Sequence, residues 1–468
     1  MRYRLVSDTA SSRLILIFAG WAMDSNVFGH ISRPGYDVMV IWDYTSFHID
    51  WSITDHYEEI CIVAWSMGVF AVCETTQAID YKVTRRIAVN GTPMPVSDLY
   101  GIPESVFQGT LDGLSEASLR KFYRRMCRDS RAFAHFCSHE PVREVSELKS
   151  ELESVQERTF FGVGADVRWD EAIIGHDDRI FPRQNQRRAW DKLNVPHTEI
   201  EDGHYVDIAE IVDRCFVDKS LAGERFGAAV DTYESQAAVQ ADAIDRLLAR
   251  CSSLGVCAAV TAARGRVLEI GSGSGMLTRR LARLIGSAEF DIWDLAAPCP
   301  RHLPDRLKIR FLNCDAEMQI SRVPRGQYEF IFTASTVQWF NSPALFFRNC
   351  ARALTDDGIL ALTTYTMGNM HEISDITGIS LPLLTPDAWK NAASSHFEIL
   401  HSQAYIRDLD FDSPLDVLRH MKVTGVNSLS RSSGGSVSAS EVIRRYPMRL
   451  DGRYHLTYHP FILILRKK

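Results

Sequence analysis

The fold of the second half of the chain is decided by one stretch, Val267-Leu268-Glu269-Ile270-Gly271-Ser272-Gly273-Ser274-Gly275. An apolar strand opens here into a turn with three glycines and then into a helix. Because glycine has no side chain, the backbone of such a turn can approach a ligand closely. Asp294 ends the next apolar run, 19 residues after Gly275, a spacing that suits a carboxylate accepting from both ribose hydroxyls. The pattern predicts a nucleotide-like ligand at this turn.

Two ligands compete for the glycine-rich turn, a dinucleotide and S-adenosylmethionine. The dinucleotide fingerprint requires a third glycine where this chain has Met276, and a pyrophosphate has no use for an acid at Glu269. The methionine end of S-adenosylmethionine carries an ammonium group, which favours an acidic neighbour, and an acid at Asp315 can accept from the adenine amino group. We therefore predict a Rossmann-like S-adenosylmethionine-dependent methyltransferase domain without a metal. The cofactor-binding candidates are Glu269, Gly271, Gly273, Gly275, Asp294, Asp315 and Ala316.

Short apolar runs alternate with helix-like stretches along the whole chain, which predicts parallel sheets covered by helices on both faces. The first series of runs is Leu14–Ala19, Val38–Trp42, Ile60–Trp65, Arg86–Val89 and Thr159–Val163. The second series is Arg266–Ile270, Phe290–Trp293, Lys308–Leu312, Phe330–Thr333 and Ile359–Thr364. We expect the last run, Phe461–Leu465, to pair with Phe397–Leu400 at one edge of the second sheet.

The length of 468 residues exceeds a single hydrophobic core and predicts more than one domain. We place the first domain at 1–216, a short linker at 217–223 and the second domain at 224–468. A helix is expected to begin near Glu224, and its apolar stripe is formed by Ala243, Ile244, Leu247 and Leu248. The Ser- and Gly-rich segment Ser428–Ser440 is predicted to be a loop of the second domain.

Composition excludes several classes of protein. The formal net charge of −7 argues against general nucleic-acid affinity. No apolar stretch approaches the roughly 18–20 residues that span a bilayer, and no apolar segment follows the basic N-terminus as in a secretory signal. The ten cysteines are scattered without a CxxC pair, which is typical of reduced core residues. We therefore expect a cytoplasmic protein with no membrane or nucleic-acid partner.

In the first half, the run Ile60–Trp65 leads directly into Ser66-Met67-Gly68. A buried strand that ends at a serine between small residues indicates a nucleophile elbow, a strained strand-to-helix turn. The usual pattern is GxSxG, and this chain has Ala64 at the first position. Backbone N–H groups of Trp21, in the loop after the Leu14–Ala19 run, and of Met67 would form the oxyanion hole.

The partners of the serine follow in the order expected of an α/β-hydrolase, Ser66, then Asp178, then His204. His204 would accept the serine proton, and Asp178 would orient the imidazole. Asp177 competes with Asp178 for the role of the acid. His176 is a weaker rival for the base because it lies on the loop of the acid.

A helical insertion at about residues 95–155 lies where this fold carries its cap. Spacings of three and four residues predict that one helix face carries Arg120, Arg124, Arg128 and Arg131. Most charge runs are simply solvated, but only Asp129 interrupts this set. In a chain with net negative charge, such a face suits an acidic or phosphate-bearing substrate carrier.

These residues resemble two known families. The second half is similar to malonyl-acyl-carrier-protein O-methyltransferases of biotin synthesis, and the resemblance covers nearly all of residues 222–468. The matching stretches are Arg225-Phe226 through Tyr233 and Gln240, LEIGSGSG, CDAE, Ser335 through Gln338-Trp339, Thr363-Thr364, and Leu418 through Lys422 with Thr424-Gly425. The first half, about 1–216, resembles pimeloyl-acyl-carrier-protein methyl ester esterases through AWSMG, DRIFP and GHY.

The resemblance implies one chain that methylates a malonyl thioester and later hydrolyses the methyl ester at the pimeloyl stage. The implied partner is acyl carrier protein in its malonyl and methyl-pimeloyl forms, with coenzyme A as the other possible malonyl carrier. Arg419, His420 and Lys422 are candidates for holding the malonyl carboxylate, and Tyr233 is a candidate lid residue. Two alternatives stay open: a general carboxylesterase fused to a small-molecule methyltransferase, and a hydrolase-like module that only recruits carrier protein.

Overall fold

The computed structural model describes residues 1–161, 167–424 and 437–468 of the chain. The chain folds into two compact units, Met1–Asp213 and Arg214–Lys468. Within the described ranges, no helix is long and apolar enough to cross a membrane. Each unit is built around its own seven-stranded sheet.

The first unit alternates strands and helices. Its strands are β1 (Arg2–Ser7), β2 (Arg13–Phe18), β3 (Asp37–Trp42), β4 (Glu59–Trp65), β5 (Val83–Val89), β6 (Glu171–Gly175) and β7 (His197–Ile200). Its helices are α1 (Met67–Thr75), α2 (Glu104–Asp112), α3 (Glu116–Met126), α4 (Ser130–Cys137), α5 (Val145–Phe161), α6 (Arg183–Lys192) and α7 (Ile208–Cys215).

The strand order of the first sheet is β1-β3-β2-β4-β5-β6-β7. β1 is antiparallel to β3, and the other pairs are parallel. Every residue of β2, β3 and β4 is buried, as expected for the centre of a parallel sheet with both faces covered. These central strands match the predicted apolar runs. A strand that is buried on both faces must be apolar at every position, and such a run is visible in the sequence.

Four helices, α2 to α5, lie between β5 and β6 and form the predicted insertion. The predicted strand Thr159–Val163 is wrong as far as the described residues reach, because 159–161 continue α5 and 162–163 lie outside them. The Thr159 hydroxyl donates to the Val155 carbonyl one turn earlier. A short apolar run at the end of an amphipathic helix cannot be distinguished from a strand by periodicity. The strand that follows the insertion is β6 instead.

A buried ionic cluster holds α5 in the first unit. Arg143 Nη1 lies 2.5 Å from a Glu151 carboxylate oxygen and Nη2 lies 3.4 Å from Asp43. The other Glu151 oxygen accepts from the Tyr44 backbone N–H at 3.0 Å. Burial raises the pKa of Glu151 to about 6, and the Arg143 charge opposes that rise. The carboxylate therefore depends on one arginine and one backbone N–H.

The second unit begins with helices. Its helices are α8 (Lys219–Gln236), α9 (Ala238–Ser253), α10 (Val256–Ala262), α11 (Met276–Leu284), α12 (Ala316–Gln319), α13 (Pro343–Ala353), α14 (His371–Thr377), α15 (Pro386–Ser394), α16 (Pro414–Val423) and α17 (Ala439–Arg445). Its strands are β8 (Arg266–Ile270), β9 (Glu289–Asp294), β10 (Ile309–Asn313), β11 (Tyr328–Ala334), β12 (Leu354–Tyr365), β13 (Phe397–Ala404), β14 (Arg407–Phe411), β15 (Tyr454–Tyr458) and β16 (Pro460–Lys467).

The second sheet has the order β10-β9-β8-β11-β12-β16-β13, and β14 pairs separately with β15. Strands β8 to β12 are parallel, whereas β16 is antiparallel to both β12 and β13. The predicted pairing of the last apolar run with Phe397–Leu400 is confirmed. The carboxyl ends of β8, β9, β10 and β11 meet at one edge, where the predicted cofactor residues lie.

The structure differs from the sequence-based prediction at the linker and at the Ser- and Gly-rich segment. The helix expected near Glu224 begins at Lys219, inside the predicted linker, because the Asp218 side chain caps it by accepting from the Leu221 N–H. The apolar stripe belongs to a second helix, α9. Most of the predicted loop Ser428–Ser440 lies outside the described residues, and its end forms the start of α17.

Replacing Arg143 by methionine tests the buried cluster. The change leaves Glu151 buried without its cation, and we expect the first unit to lose about 3–5 kcal/mol of unfolding free energy. Hydrogen exchange of the slowest amides in β4 measures this loss. The control is Arg158→Met, which removes a half-exposed ion pair with Glu74 and should cost less than about 1 kcal/mol. Equal losses in both variants would contradict a special role for the cluster.

Candidate active sites

Ser66 lies in a sharp turn between β4 and α1, with φ of 59° and ψ of −124°. A positive φ is strained for a residue with a side chain, and the turn is held by the Ser66 N–H, which donates to Val89 O at 2.9 Å. A methyl group at Gly68 would lie 2.3 Å from Phe18 O, so α1 can approach the sheet only with glycine there. Ala64 is fully buried in β4, and the turn forms with alanine at this position.

The structure brings the three predicted residues of the first site together. His204 Nε2 lies 2.9 Å from Ser66 Oγ, and His204 Nδ1 lies 2.9 Å from Asp178 Oδ2. All three side chains are buried. Asp177 is half-exposed and contacts His176 instead, with 3.2 Å between the carboxylate and the ring. The geometry therefore favours Asp178 over Asp177 as the partner of the imidazole.

Asp178 is held by three further hydrogen bonds. Its Oδ1 accepts from the backbone N–H groups of Ile180 and Phe181 at 2.8 and 2.9 Å. Its Oδ2 accepts from the Gln186 side-chain amide at 2.9 Å. The Phe181 ring also stacks on His204, with interplanar angle 6°. Gln186 was not predicted from the sequence. Helix α6 is mostly polar, which indicates an exposed helix, and no sequence pattern distinguishes Gln186 as a buried residue.

Two residues at the carboxyl ends of central strands, Trp65 and Asn90, anchor the loop that carries His204. Asn90 donates to the carbonyls of Gly203 and His204, each at 2.9 Å, and accepts from the Gly175 N–H. Trp65 Nε1 donates to the same His204 carbonyl at 2.9 Å. The imidazole is thereby fixed at the carboxyl end of β4.

The predicted oxyanion residues belong to the two segments that meet at Ser66. A methyl group at Gly20 would lie 3.5 Å from Ser66 Oγ, so the loop containing Gly20 and Trp21 runs directly beside the nucleophile. Met67 is the first residue of α1. The Trp21 indole donates to Leu148 O in α5 at 2.9 Å, which ties this loop to the insertion.

The first unit also contains a histidine cluster around Asp207. His30 Nε2 is 3.0 Å from one carboxylate oxygen of Asp207, and His135 Nε2 is 3.7 Å from the other. The other ring nitrogen of His135 lies 3.0 Å from the Tyr205 hydroxyl. The ligand atoms of His30, His135 and Asp207 lie within 4.8 Å of one another, a spacing that a metal ion can bridge. Sequence reasoning missed this group because its members are distant in sequence.

In the second unit the glycine-rich turn lines a large cavity. Gly271, Gly273 and Gly275 have φ values of 75°, 50° and 89°, which glycine adopts without strain. A methyl group at Gly271 would lie 2.0 Å from Thr336 Oγ1. The predicted residues that line the cavity are Gly271, Gly273, Asp294, Asp315, Ala316 and Tyr233, whereas Glu269 and Gly275 do not line it.

Two acids support the turn in different ways. Asp294 Oδ2 accepts from the Gly273 N–H at 2.7 Å, and its Oδ1 accepts from the N–H groups of Ala296 and Ala297. Glu269 is fully buried, and neither of its carboxyl oxygens makes a hydrogen bond of normal geometry with the described residues. Burial raises the pKa of Glu269 to about 8. Contacts with Thr278 oppose this rise only in part. A buried acid with so little compensation, next to the glycine-rich turn, fits a ligand that brings a positive charge.

Asp315 has a partner that sequence reasoning missed. Lys219 Nζ lies 2.8 and 2.9 Å from the two Asp315 oxygens and also contacts Glu317. The ammonium group lies 5.1 Å from the centre of the Phe340 ring. Lys219 was assigned to the linker, and the signal that could have corrected this is Asp218, a strong N-cap residue directly before it.

Comparisons with known proteins give a family for each half of the chain. Residues 1–210 match the family model described as pimeloyl-ACP methyl esterase BioG, and residues 267–358 match a methyltransferase domain. A malonyl-[acyl-carrier protein] O-methyltransferase of Bacteroides fragilis (strain 638R) is 34% identical over 97% of this chain and 93% of its own length. The chain belongs to this methyltransferase family. The resemblance of each half to its family is thereby confirmed.

Two further relatives each cover one half. The malonyl-[acyl-carrier protein] O-methyltransferase of Haemophilus influenzae (strain ATCC 51907 / DSM 11121 / KW20 / Rd) is 32% identical over 53% of this chain and 95% of its own length. The crystal structure of BioG from Haemophilus influenzae is 33% identical, with a TM-score of 0.42, over 44% of this chain and 95% of that chain.

The four arginines that were predicted to share one helix face do not share it. The four residues concerned are Arg120, Arg124, Arg128 and Arg131. Helix α3 ends at Met126, and Asp129 caps α4 by accepting from the Ala132 N–H at 2.9 Å. Arg128 lies between the helices and donates to the Glu201 carbonyl. Only the first two arginines share a helix face, because the spacing argument assumed a helix that Asp129 interrupts.

The candidates for the malonyl carboxylate lie on α16 and do not line the cavity of the glycine-rich turn. Arg419 is mostly exposed and pairs with Asp416 at 3.0 Å. His420 is buried, and its Nε2 lies 2.8 Å from the Tyr458 hydroxyl. Lys422 is exposed. Met421 of the same helix lines a second, smaller cavity, which none of the three candidates lines.

The raised pKa of Glu269 predicts a pH-dependent stability of the second unit. An ordinary glutamate titrates near 4.5, whereas the folded protein keeps this proton to about 8. The contribution to stability is full below about pH 4.5 and is lost as the pH rises through 8. The slope is up to about 1.4 kcal/mol per pH unit.

Glu269→Gln should flatten this slope, because glutamine has no proton to lose. Pulse proteolysis in urea between pH 5.5 and 8.5, read on fragments of residues 214–468, measures the effect without cofactor. Glu398→Gln, at an exposed position, is the control and should keep the wild-type slope. A Glu269→Gln variant with the wild-type slope would contradict the buried proton.

Proposed function

We propose that this chain catalyses two steps of biotin-precursor synthesis. The second unit transfers a methyl group from S-adenosylmethionine to the free carboxylate of malonyl-[acyl-carrier protein], and the first unit hydrolyses the methyl ester of pimeloyl-[acyl-carrier protein]. The observation that carries the esterase half is the buried Ser66–His204–Asp178 chain at a strained turn. Membership of the methyltransferase family over 97% of the chain supports the other half.

We propose that the first unit is an α/β-hydrolase. Its parallel sheet has the nucleophile at the end of β4, the acid after β6 and the base after β7. These are the positions that the hydrolase pattern assigns to the three residues. The helical insertion between β5 and β6 takes the place of the cap. A nucleophile on a left-handed turn directly before a helix supports this fold more strongly than the sequence motif alone.

The hydrolysis follows from the contacts around Ser66. Its hydroxyl attacks the ester carbonyl while His204 accepts the proton, and Asp178 stabilises the imidazolium. The N–H groups of Trp21 and Met67 hold the developing oxyanion, and losing one such donor typically lowers kcat about 10²–10³-fold. His204 then returns the proton to the leaving methoxide, which departs as methanol. Water, activated by the same imidazole, releases the acyl group from Ser66.

For the methyltransferase half, S-adenosylmethionine supplies, when bound, a methyl group on a positively charged sulfur. We assign Asp294 to the ribose hydroxyls, Asp315 and Ala316 to the adenine, and Glu269 to the charge of the methionine end. The turn at Gly271 brings the backbone against the ligand. The Lys219 ion pair neutralises Asp315 until the adenine amino group arrives.

The two activities have a common physical purpose. A malonyl thioester carries a free carboxylate, and burying that charge in the apolar channel of a chain-elongating enzyme is costly. Methylation makes the end neutral, so that elongation can proceed, and the esterase later restores the carboxylate. One polypeptide then masks and unmasks the same group.

The carrier of the acyl group is proposed to be acyl carrier protein, with coenzyme A as the competing malonyl carrier. Arg120 and Arg124 are exposed on α3, next to Lys121 and Arg125. This basic helix suits an acidic protein or a phosphate. It supports a docking role for the insertion of the first unit.

The direct experiment is a mass measurement on carrier proteins incubated with the purified chain. With S-adenosylmethionine, malonyl-acyl carrier protein should gain one methyl group, and methyl-pimeloyl-acyl carrier protein should lose one. Malonyl-CoA, free malonate and unrelated metabolites are tested in parallel. Faster methylation of an unrelated metabolite would contradict the proposal and favour a general esterase fused to a small-molecule methyltransferase.

The esterase assignment predicts a sharp difference between adjacent acids. Asp178→Asn should lower ester hydrolysis about 10⁴-fold, because the imidazole loses its correct tautomer. Ser66→Ala should lower it at least as much. Asp177→Asn, the matched control, should stay within a few-fold of wild type. Methyl transfer by the Ser66→Ala variant should be unchanged, and normal hydrolysis by that variant would refute the assignment.

The cradle assignment predicts a loss of cofactor affinity in Gly271→Ala. The added methyl group would lie 2.0 Å from Thr336 Oγ1 at a φ of +75°, so the turn must shift. We expect the Kd for S-adenosylhomocysteine, measured by calorimetry, to rise on the order of 100-fold. Gly326→Ala introduces similar strain, with φ +69° and open space, outside the cavity. Unchanged binding in Gly271→Ala, or equal losses in both variants, would contradict the cradle.

A further inference from the structure

Trp339 occupies a special position in the second unit. It ends a short 3₁₀ turn (Val337–Trp339) that follows β11. Its side chain lines the cavity of the glycine-rich turn and also a second, smaller cavity. Trp339 is the one residue common to the described linings of both cavities. The indole therefore lies at the border of the two cavities.

Among the residues that the structure describes, none accepts a hydrogen bond from the indole N–H of Trp339. The side chain is 8% exposed, and Nε1 meets no hydrogen-bond acceptor among the described residues. By contrast, Nε1 of Trp389 donates to Tyr365 O at 3.2 Å. A buried donor without an acceptor is unfavourable, and its position at a cavity wall is consistent with an acceptor supplied by a ligand.

The second cavity has no charge of its own. Its described lining contains no Asp, Glu, Lys, Arg or His. The polar groups there are largely committed. The Gln338 amide donates to Ser335 O at 2.6 Å, the Tyr458 hydroxyl lies 2.8 Å from a ring nitrogen of His420, and Asn369 accepts from the His459 N–H. The indole N–H is left as a neutral donor at the border of the two cavities.

A neutral donor suits the reaction better than a cation. The acceptor oxygen forms the new O–C bond, the C–S bond breaks, its electron pair stays on sulfur, and no proton moves. The carboxylate therefore loses its charge in the transition state. A lysine or arginine would stabilise the charged ground state more than the transition state and so would raise the barrier. The sulfonium itself supplies the opposite charge.

We infer that the Trp339 indole N–H binds the non-reacting oxygen of the acceptor carboxylate and that the acyl chain lies in the second cavity. This inference rests on the proposed function. It replaces the expectation that Arg419, His420 or Lys422 holds the carboxylate. Recognition of the carboxylate then depends on one neutral hydrogen bond and an uncharged wall.

Trp339→Phe tests the inference, because phenylalanine retains a ring and removes the N–H. At saturating S-adenosylmethionine, we expect kcat/KM for malonyl-acyl carrier protein to fall about 10- to 100-fold, mostly through KM. The Kd for S-adenosylhomocysteine should stay within about twofold. The matched control is Trp293→Phe. It removes another buried indole N–H that meets no acceptor in the described part of the chain, and Trp293 lines neither cavity. Its KM should equal that of wild type.

A second measurement is made on the wild-type protein, and the variant serves only to assign the resonance. In the wild-type complex with S-adenosylhomocysteine, adding malonyl-acyl carrier protein should move one indole ¹H–¹⁵N resonance downfield, and that resonance should be missing in Trp339→Phe. A wild-type KM in this variant, or no such shift in the wild-type protein, overturns the inference alone. A wild-type protein that does not methylate malonyl-acyl carrier protein overturns the proposed function and the inference with it.

Discussion

The structure depends on one constraint of parallel sheets: when helices cover both faces, polar groups can gather only where strands end. The chain leaves several central strands through a residue with positive φ. Asp43, Ser66 and Asn90 do so after β3, β4 and β5, and Gly271 and Ser335 do so after β8 and β11. A left-handed residue reverses the direction of the backbone immediately, so that the next side chains and N–H groups face the strand ends. Both candidate sites are built from these turns.

The central strands and the order of the site residues could be predicted from the sequence. A fully buried strand must be apolar throughout, so β2 and β4 stand out in any sequence. The order Ser66, Asp178, His204 follows the topology of the sheet and needs no knowledge of side-chain positions. The choice between Asp177 and Asp178 could not be made this way. It depends on which carboxylate accepts from the N–H groups of a particular turn, and adjacent residues in a turn point in different directions.

Other features depend on where helices begin and end. The insertion was expected to be helical, but the helix boundary at Asp129 breaks the predicted arginine face. Lys219 was assigned to a linker because the N-cap at Asp218 was not recognised. Its partners, Asp315 and Glu317, lie about a hundred residues away in sequence. Thr159–Val163 was read as a strand because periodicity over five residues does not separate a strand from a helix end. In each case a local pattern is compatible with two structures, and the position at which a helix begins or ends decides between them.

The two sites handle opposite changes of charge, and their surroundings differ accordingly. Ester hydrolysis creates an anion in the transition state, so the first site needs fixed donors near Ser66 and a buried carboxylate, Asp178, to balance the imidazolium. Methyl transfer to a carboxylate removes both charges, so strong fixed cations around the acceptor would oppose it. The cavity beyond Trp339 contains none in its described lining. The same carboxyl group would thus meet charge-stabilising contacts during ester hydrolysis, and it would meet neutral contacts during methylation.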